Sequence, residues 1–217
     1  MSQETNLSFE HLTVNDGLSQ NSVLCLLQDD LERIWIGTRE GLNCYDGERV
    51  HHFHPLPDEP NSIMDYKIIG MEQLGEHLFI LGASGVSILN IKTQQITRRR
   101  IQQCTAIKSY RDRLYMGTES GMLYSMDTSN FELTVEINIK SAIRSLSGES
   151  KLLIGTPKDG LFTFDVQEKT LSHLTKTRNI YDINDCLSTG DGKILVATEF
   201  QGLFYIDASG ETLAVFN

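Results

Sequence analysis

Short apolar runs separated by turns rich in Gly, Asp and Asn recur from one end of this chain to the other. The clearest runs over Ile34-Trp35-Ile36-Gly37-Thr38-Arg39-Glu40-Gly41-Leu42-Asn43-Cys44-Tyr45-Asp46-Gly47. It reads as an apolar triplet, a Gly, a polar turn, a second Gly, an apolar strand and an Asp. The same order returns at Phe79-Ile80-Leu81-Gly82 with Gly85 and Asn90, at Leu114-Tyr115-Met116-Gly117 with Gly121 and Asp127, at Leu152-Leu153-Ile154-Gly155 with Gly160 and Asp165, and at Ile194-Leu195-Val196-Ala197 with Gly202 and Asp207. In the fifth copy Ala197 stands in the place of the first Gly. Apolar runs this short, bounded by such turns, predict strands.

A period of about 40 residues with four strand-like runs per unit predicts an all-β fold, a β-propeller of about five four-stranded blades. The whole of 1–217 reads as one propeller region, with blades at about 18–56, 62–100, 101–137, 138–176 and 179–217. Within each, an inner strand begins near Ser22, Tyr66, Gln103, Ser141 or Tyr181, and the recurring Asp or Asn forms the hairpin before the outermost strand. An extra outer strand is predicted over 7–14. That surplus strand leaves two closures, a small five-bladed ring or an open arc cut from a larger propeller. Open blade edges favour self-association.

Charge narrows the partners. The formal net charge is -10 and the sequence pI about 5.0, and the basic surface that nucleic acid or an anionic membrane requires is not expected. No apolar run approaches the roughly 20 residues of a membrane-spanning helix, and the start Met1-Ser2-Gln3-Glu4-Thr5-Asn6 is not a signal peptide. Cys25, Cys44, Cys104 and Cys186 lack metal-ligand spacing and fall in apolar strands, so they read as small core residues with no metal and no cofactor implied. Cys25 and Cys44, two strands apart in one blade, are beyond disulfide reach.

The stretch Gly17-Leu18-Ser19-Gln20-Asn21-Ser22-Val23, then Gln28-Asp29-Asp30, Ile34 to Thr38 and Gly41 to Gly47, closely resembles the two-component regulator propeller repeat. Phe9-Glu10-His11-Leu12-Thr13 resembles the start of that repeat region. The resemblance is strong over 8–56 and weaker, in register, to the C-terminus. It implies the extracytoplasmic, periplasmic sensor region of a bacterial histidine kinase or hybrid two-component system, receiving a ligand that in this family is often a carbohydrate.

Candidate ligand-binding residues come from the loops around a propeller's axis. The turns between second and third strands offer Arg39, Glu40, Glu119, Lys158, Glu199 and Phe200. Tyr66 and Tyr181 recur at one position where the inner strand begins; the first reading is that they cap the core, the other that their aromatic faces suit a sugar ring. Arg144 and Asp185, polar residues on inner strands, face water, a ligand or each other as an ion pair. Arg98-Arg99-Arg100 reads as a solvated strand end or an anion contact, and His51, His52 and His54 lack further metal ligands. No catalytic motif is found, and Glu119 with Glu199 form a glycosidase pair only if the fold sets them at the right separation. A non-catalytic ligand sensor is therefore expected, with a protein-interaction propeller as the alternative and a polysaccharide lyase or glycoside hydrolase behind both.

Overall fold

The computed structural model describes residues 11–216. Five four-stranded antiparallel sheets follow one another, each with its strands in chain order. Blade 1 is β1 (Val23–Gln28), β2 (Ile34–Thr38), β3 (Gly41–Tyr45) and β4 (Val50–Phe53); blade 2 is β5 (Gly70–Leu74), β6 (His77–Gly82), β7 (Gly85–Asn90) and β8 (Ile96–Arg100). Blade 3 comprises β9 (Cys104–Tyr110), β10 (Arg113–Thr118), β11 (Met122–Asp127) and β12 (Leu133–Asn138), and blade 4 comprises β13 (Ser145–Gly148), β14 (Leu152–Gly155), β15 (Leu161–Asp165) and β16 (Thr170–His173). Blade 5 closes the series with β17 (Ile183–Ser188), β18 (Lys193–Thr198), β19 (Leu203–Asp207) and β20 (Thr212–Phe216). Inner strand β1 lies against β5, β5 against β9, β9 against β13 and β13 against β17, where the succession stops. Leu26 on β1 and Leu187 on β17 are 64% and 56% exposed. Of the two closures the sequence allows, the described residues form the open arc.

Two inner strands begin later than the sequence suggests. In blade 2 the expected start at Tyr66 moves to Gly70, and in blade 4 the start at Ser141 moves to Ser145. The residues between are bonded to the preceding blade: Gly41 N–H donates to Tyr66 O, Ile68 N–H to Thr38 O and Ile143 N–H to Thr118 O. Of the outer strand expected over 7–14, residues 7–10 lie outside the described ones. The remainder leads into a 3-10 turn at Val14–Asp16, where Thr13 and Asp16 cap each other.

Hairpin chemistry follows the repeat. Asp46 accepts the N–H groups of Glu48 and Arg49, Asn90 those of Lys92 and Thr93, Asp165 those of Gln167 and Glu168, and Asp207 those of Ser209 and Glu211. Backbone donors from Arg49 and Glu48 hold the Asp46 carboxyl down at about 2. Asp29, at the β1–β2 turn, is buried and accepts from Leu31 N–H, Arg33 N–H, Arg33 Nε and, at 2.8 Å, Trp35 Nε1. Trp35 is thereby fixed in the apolar layer between blades 1 and 2, beside Cys44, Ile68 and Met71.

Strand register corrects the alignment of blade 2. Gly37, Gly117, Gly155 and Ala197 pair with Cys25, Ala106, Ser145 and Asp185. In blade 2 the corresponding residue, Gly70, pairs with Leu81. Leu81 therefore holds the place that the repeat pattern assigns to Gly82, and Phe79, not Ile80, is the counterpart of Trp35. Gly82 instead takes the place of Thr38, Thr118, Thr156 and Thr198, whose hydroxyls bond carbonyls across the following turn. Any side chain at Gly82 would run into Asp65, whose carboxylate accepts Ser84 N–H and Ser84 Oγ–H from outside the strand, as the Thr38 hydroxyl accepts Glu40 N–H.

The glycine place matters at the blade junctions. A methyl group at Gly37 would meet Ile68 at 2.8 Å and one at Gly155 would meet Ile183 at 2.9 Å; at Gly117 it would strike Ile143. Each Ile is the residue with which the next blade seats itself. In blade 2, where Leu81 fills that place, the residue presented by blade 3 is the smaller Cys104. Large meets small at all four junctions.

Candidate functional site

The inner strands begin irregularly, and this shapes the axis. In blades 1, 3 and 5 the register shifts at the start of the inner strand, leaving Leu24, Thr105 and Asn184 as bulged residues. Ile69 and Arg144 hold the corresponding places in blades 2 and 4, their N–H groups donating to Leu81 O and Gly155 O. A bulge re-aims its side chain. Leu24, Ile69, Thr105 and Arg144, from four successive blades, line one open depression of about 540 Å³, with Lys67, Ala83, Gln103, Cys104 and Glu119 around them.

Its chemistry is mixed. Leu24, Ile69 and Ala83 give apolar wall. Arg144 Nη1 lies 2.9 Å from Glu119 Oε2, and both side chains are partly exposed, so donors and acceptors face the opening together. Gln103 has a φ of 58° and its carbonyl accepts Glu119 N–H; the turn and the start of the inner strand are thus held as one piece. Burial pushes the Cys104 thiol up to about 12, which leaves it a neutral packing group at the base. An apolar wall with convergent donors and acceptors is the pattern of a small-molecule or oligosaccharide pocket.

The other candidates are dispersed. Glu40 and Tyr66 meet at the rim of blades 1 and 2, with Leu18, Ser19, His52 and His54, in a second depression of about 540 Å³. Tyr66 and Tyr181 are 57% and 48% exposed, so neither caps the core. Arg39 is exposed beside Glu40. Lys158 lies on the rim of blade 4 with Lys140, Asp159, His173 and Arg178. Tyr181, Asp185, Glu199 and Phe200 lie on blade 5, and none of them lines the axial depression. The Arg144–Asp185 ion pair is replaced by Arg144–Glu119, and the Asp185 carboxylate accepts Cys186 N–H. Glu119 and Glu199 are not brought into one pocket.

Arg98 and Arg99 of the arginine run are structural, and Arg100 is exposed. Arg98 donates to Ser62 O, Ser62 Oγ and Glu59 O, and Arg99 donates to Phe131 O with its guanidinium over the Phe131 ring. His51 bonds Asp46 and His52 bonds Gly17 O. Among the described residues no group of three His, Cys, Asp or Glu side chains is placed to hold a metal. Lys67 and Gln103, absent from the sequence candidates, carry a positional signal: each sits just ahead of the residue that seats its blade, Ile68 or Cys104.

Comparison with known proteins agrees with the repeat read from the sequence. The model of the family described as Two component regulator propeller matches residues 17–40. A 61-residue stretch is 41% identical to Histidine kinase P4 of Formosa agariphila, covering 28% of this chain and 4% of that protein. Among solved structures, the extracellular domain of the hybrid two component system BT3049 from B. thetaiotaomicron superposes with a TM-score of 0.79 at 20% identity, over 94% of this chain and 31% of that one. The extracellular domain of BT4673 from the same organism gives 0.73 at 21% identity, over 93% and 29%. These likenesses establish a shared fold. The chain spans about a third or less of the length of each of these three proteins. Among the described residues no helix is long and apolar enough to cross a membrane.

Proposed function

From a chain that carries the two-component regulator propeller repeat, we propose a ligand-sensing input module on the periplasmic side of a bacterial sensor histidine kinase or hybrid two-component system. Its part is to bind and not to turn over. The observation that carries this reading is the convergence of four successive inner strands on one axial depression, through the same irregular place in each blade. A ligand seated there touches four blades at once, so its binding free energy bears on how they sit together, the differential contact that a sensor requires. The apolar wall with the Arg144–Glu119 pair and Lys67 suits a hydroxyl-rich ligand, an oligosaccharide with or without acidic groups.

The test is a thermal-shift screen of neutral and acidic oligosaccharides. A ligand present at about a hundred times its Kd adds about 2.7 kcal/mol, a rise of about 5–10 °C in Tm for a domain of this size. The Lys67→Ala, Arg144→Ala double variant is expected to lose that rise. No shift with any saccharide, or a shift untouched by the double variant, would remove the reading. The exposed apolar face of blade 5 favours a second role, binding another protein.

A further inference from the structure

One junction inside the arc lacks its aromatic ring. Between blades 1 and 2 the apolar layer holds Trp35 with Ile91, between blades 2 and 3 Phe79 with Phe131, and between blades 3 and 4 Tyr115 with Val166. Blade 4 has Leu153 in that place, paired with Ser147 as Trp35 is with Leu27 and Tyr115 with Lys108. The facing blade is reduced too: the residue after the turn-forming Asp or Asn is Ile91 in blade 2 and Val166 in blade 4, but Ala208 in blade 5. At the close of the inner strand, Asp29 in blade 1 and Tyr110 in blade 3 are buried, whereas Glu149 in blade 4 is exposed. The three reductions fall together. They leave a cleft of about 380 Å³ between blades 4 and 5, reaching in as far as Leu153.

Both walls of this cleft belong to neighbouring blades of the chain itself. Leu153, Leu174 and Ile194 give an apolar floor, and the hydroxyls of Thr163, Ser172 and Ser188 stand around it; among the described residues none of the three is bonded to another group. Facing sheets lie about 10 Å apart, so a wall shortened by one ring leaves room for a ring lying flat between them. At the mouth Lys151 Nζ lies 3.5 Å from Asp165 Oδ2 and Glu149 is exposed beside it, a setting that repels a carboxylate and favours a neutral molecule. We propose that the cleft binds a small neutral phenol or catechol, its ring where the other junctions hold Trp35, Phe79 and Tyr115 and its hydroxyls bonded to Thr163, Ser172 and Ser188. The cleft at the same level between blades 1 and 2 has Trp35 and Phe53 in its wall, with Arg33, Asp46 and His51 around them, and so keeps a ring of its own. No residue is shared with the axial depression, and the mouth, at the turns of Glu149 and Gly192, lies at the opposite strand ends from Glu119. A phenol bound there bridges blades 4 and 5, whereas an axial ligand bears on blades 1 to 4.

Methyl NMR titration of the full 217-residue chain with phenol, catechol, cyclohexanol and glucose tests this. Phenol or catechol is expected to give saturable ring-current shifts at the methyl groups of Leu153, Thr163, Leu174 and Ile194, with those of Leu24 and Ile69 at the axis unmoved. Leu153→Tyr, which copies blade 3, fills the ring's place and is expected to raise the dissociation constant at least about tenfold without lowering Tm. Ala208→Ile narrows the cleft from an exposed position on the other wall and is expected to weaken binding as well, so the result does not rest on a buried substitution alone. No saturable shift with either aromatic, shifts centred on Leu24 and Ile69, an equal response to cyclohexanol or glucose, or binding untouched by both variants would each overturn the proposal.

Discussion

Asp29 illustrates how much a single turn residue can hold. Its side chain is buried and collects the two backbone N–H groups of its own turn, the Arg33 guanidinium and the Trp35 indole. Burial favours the neutral acid, and the donors from Arg33, Trp35 and the backbone overcome it, so its carboxyl titrates below the usual range. Asp29→Ala leaves a fully buried indole N–H without a partner and should cost about 3 kcal/mol in chemical denaturation, while Asp29→Asn, which keeps an acceptor, should cost less. The sequence shows Asp29 only as one of several polar turn residues. Its bonds reach to Trp35 across a hairpin, and that reach depends on strand register. Tyr66 and Tyr181 show the reverse case: their shared position is legible in the spacing, whereas their exposure depends on how each connection crosses to the preceding blade.

At the scale of strands and blades, complementary size at the junction is the recurring device. Gly117 faces Ile143 of the next blade with no room for a methyl group. Gly117→Ala is therefore expected to cost about 1–2 kcal/mol by overpacking, and adding Ile143→Val should recover most of it. A double-mutant cycle by thermal denaturation reads this directly. Hairpins and strands were legible in the sequence because Gly, Asp and Asn act within a few residues of their own position. The slip in blade 2 was not, since Leu81-Gly82 still offers a Gly in the expected window. Only the partner strand, with Gly70 opposite Leu81, reveals that bulk has moved from blade 3 to blade 2. The inner-strand starts were hidden for a related reason: Ile68 and Ile143 donate their N–H groups to the blade before.

For the molecule as a whole, the fold class follows from the repeat, and whether the arc closes is a matter of geometry between blades that no single repeat carries. The candidate site was legible in part. Glu119 and Arg144 stand out as charges at successive axial positions, yet their meeting depends on blades 3 and 4 being neighbours, and Arg144 finds Glu119 instead of Asp185. Lys67 and Gln103 emerge once the seating residues Ile68 and Cys104 mark each blade's start. The central claim is that ligand enters at the axis, and amide hydrogen exchange with and without a saccharide that raises Tm tests it most directly. Slowed exchange at 67–70, 103–106, 119 and 143–145, the inner-strand starts and the turn around the axial depression, is the predicted result. Protection confined to the blade rims, at 40–54 or 158–178, with the axial segments unchanged, would contradict it.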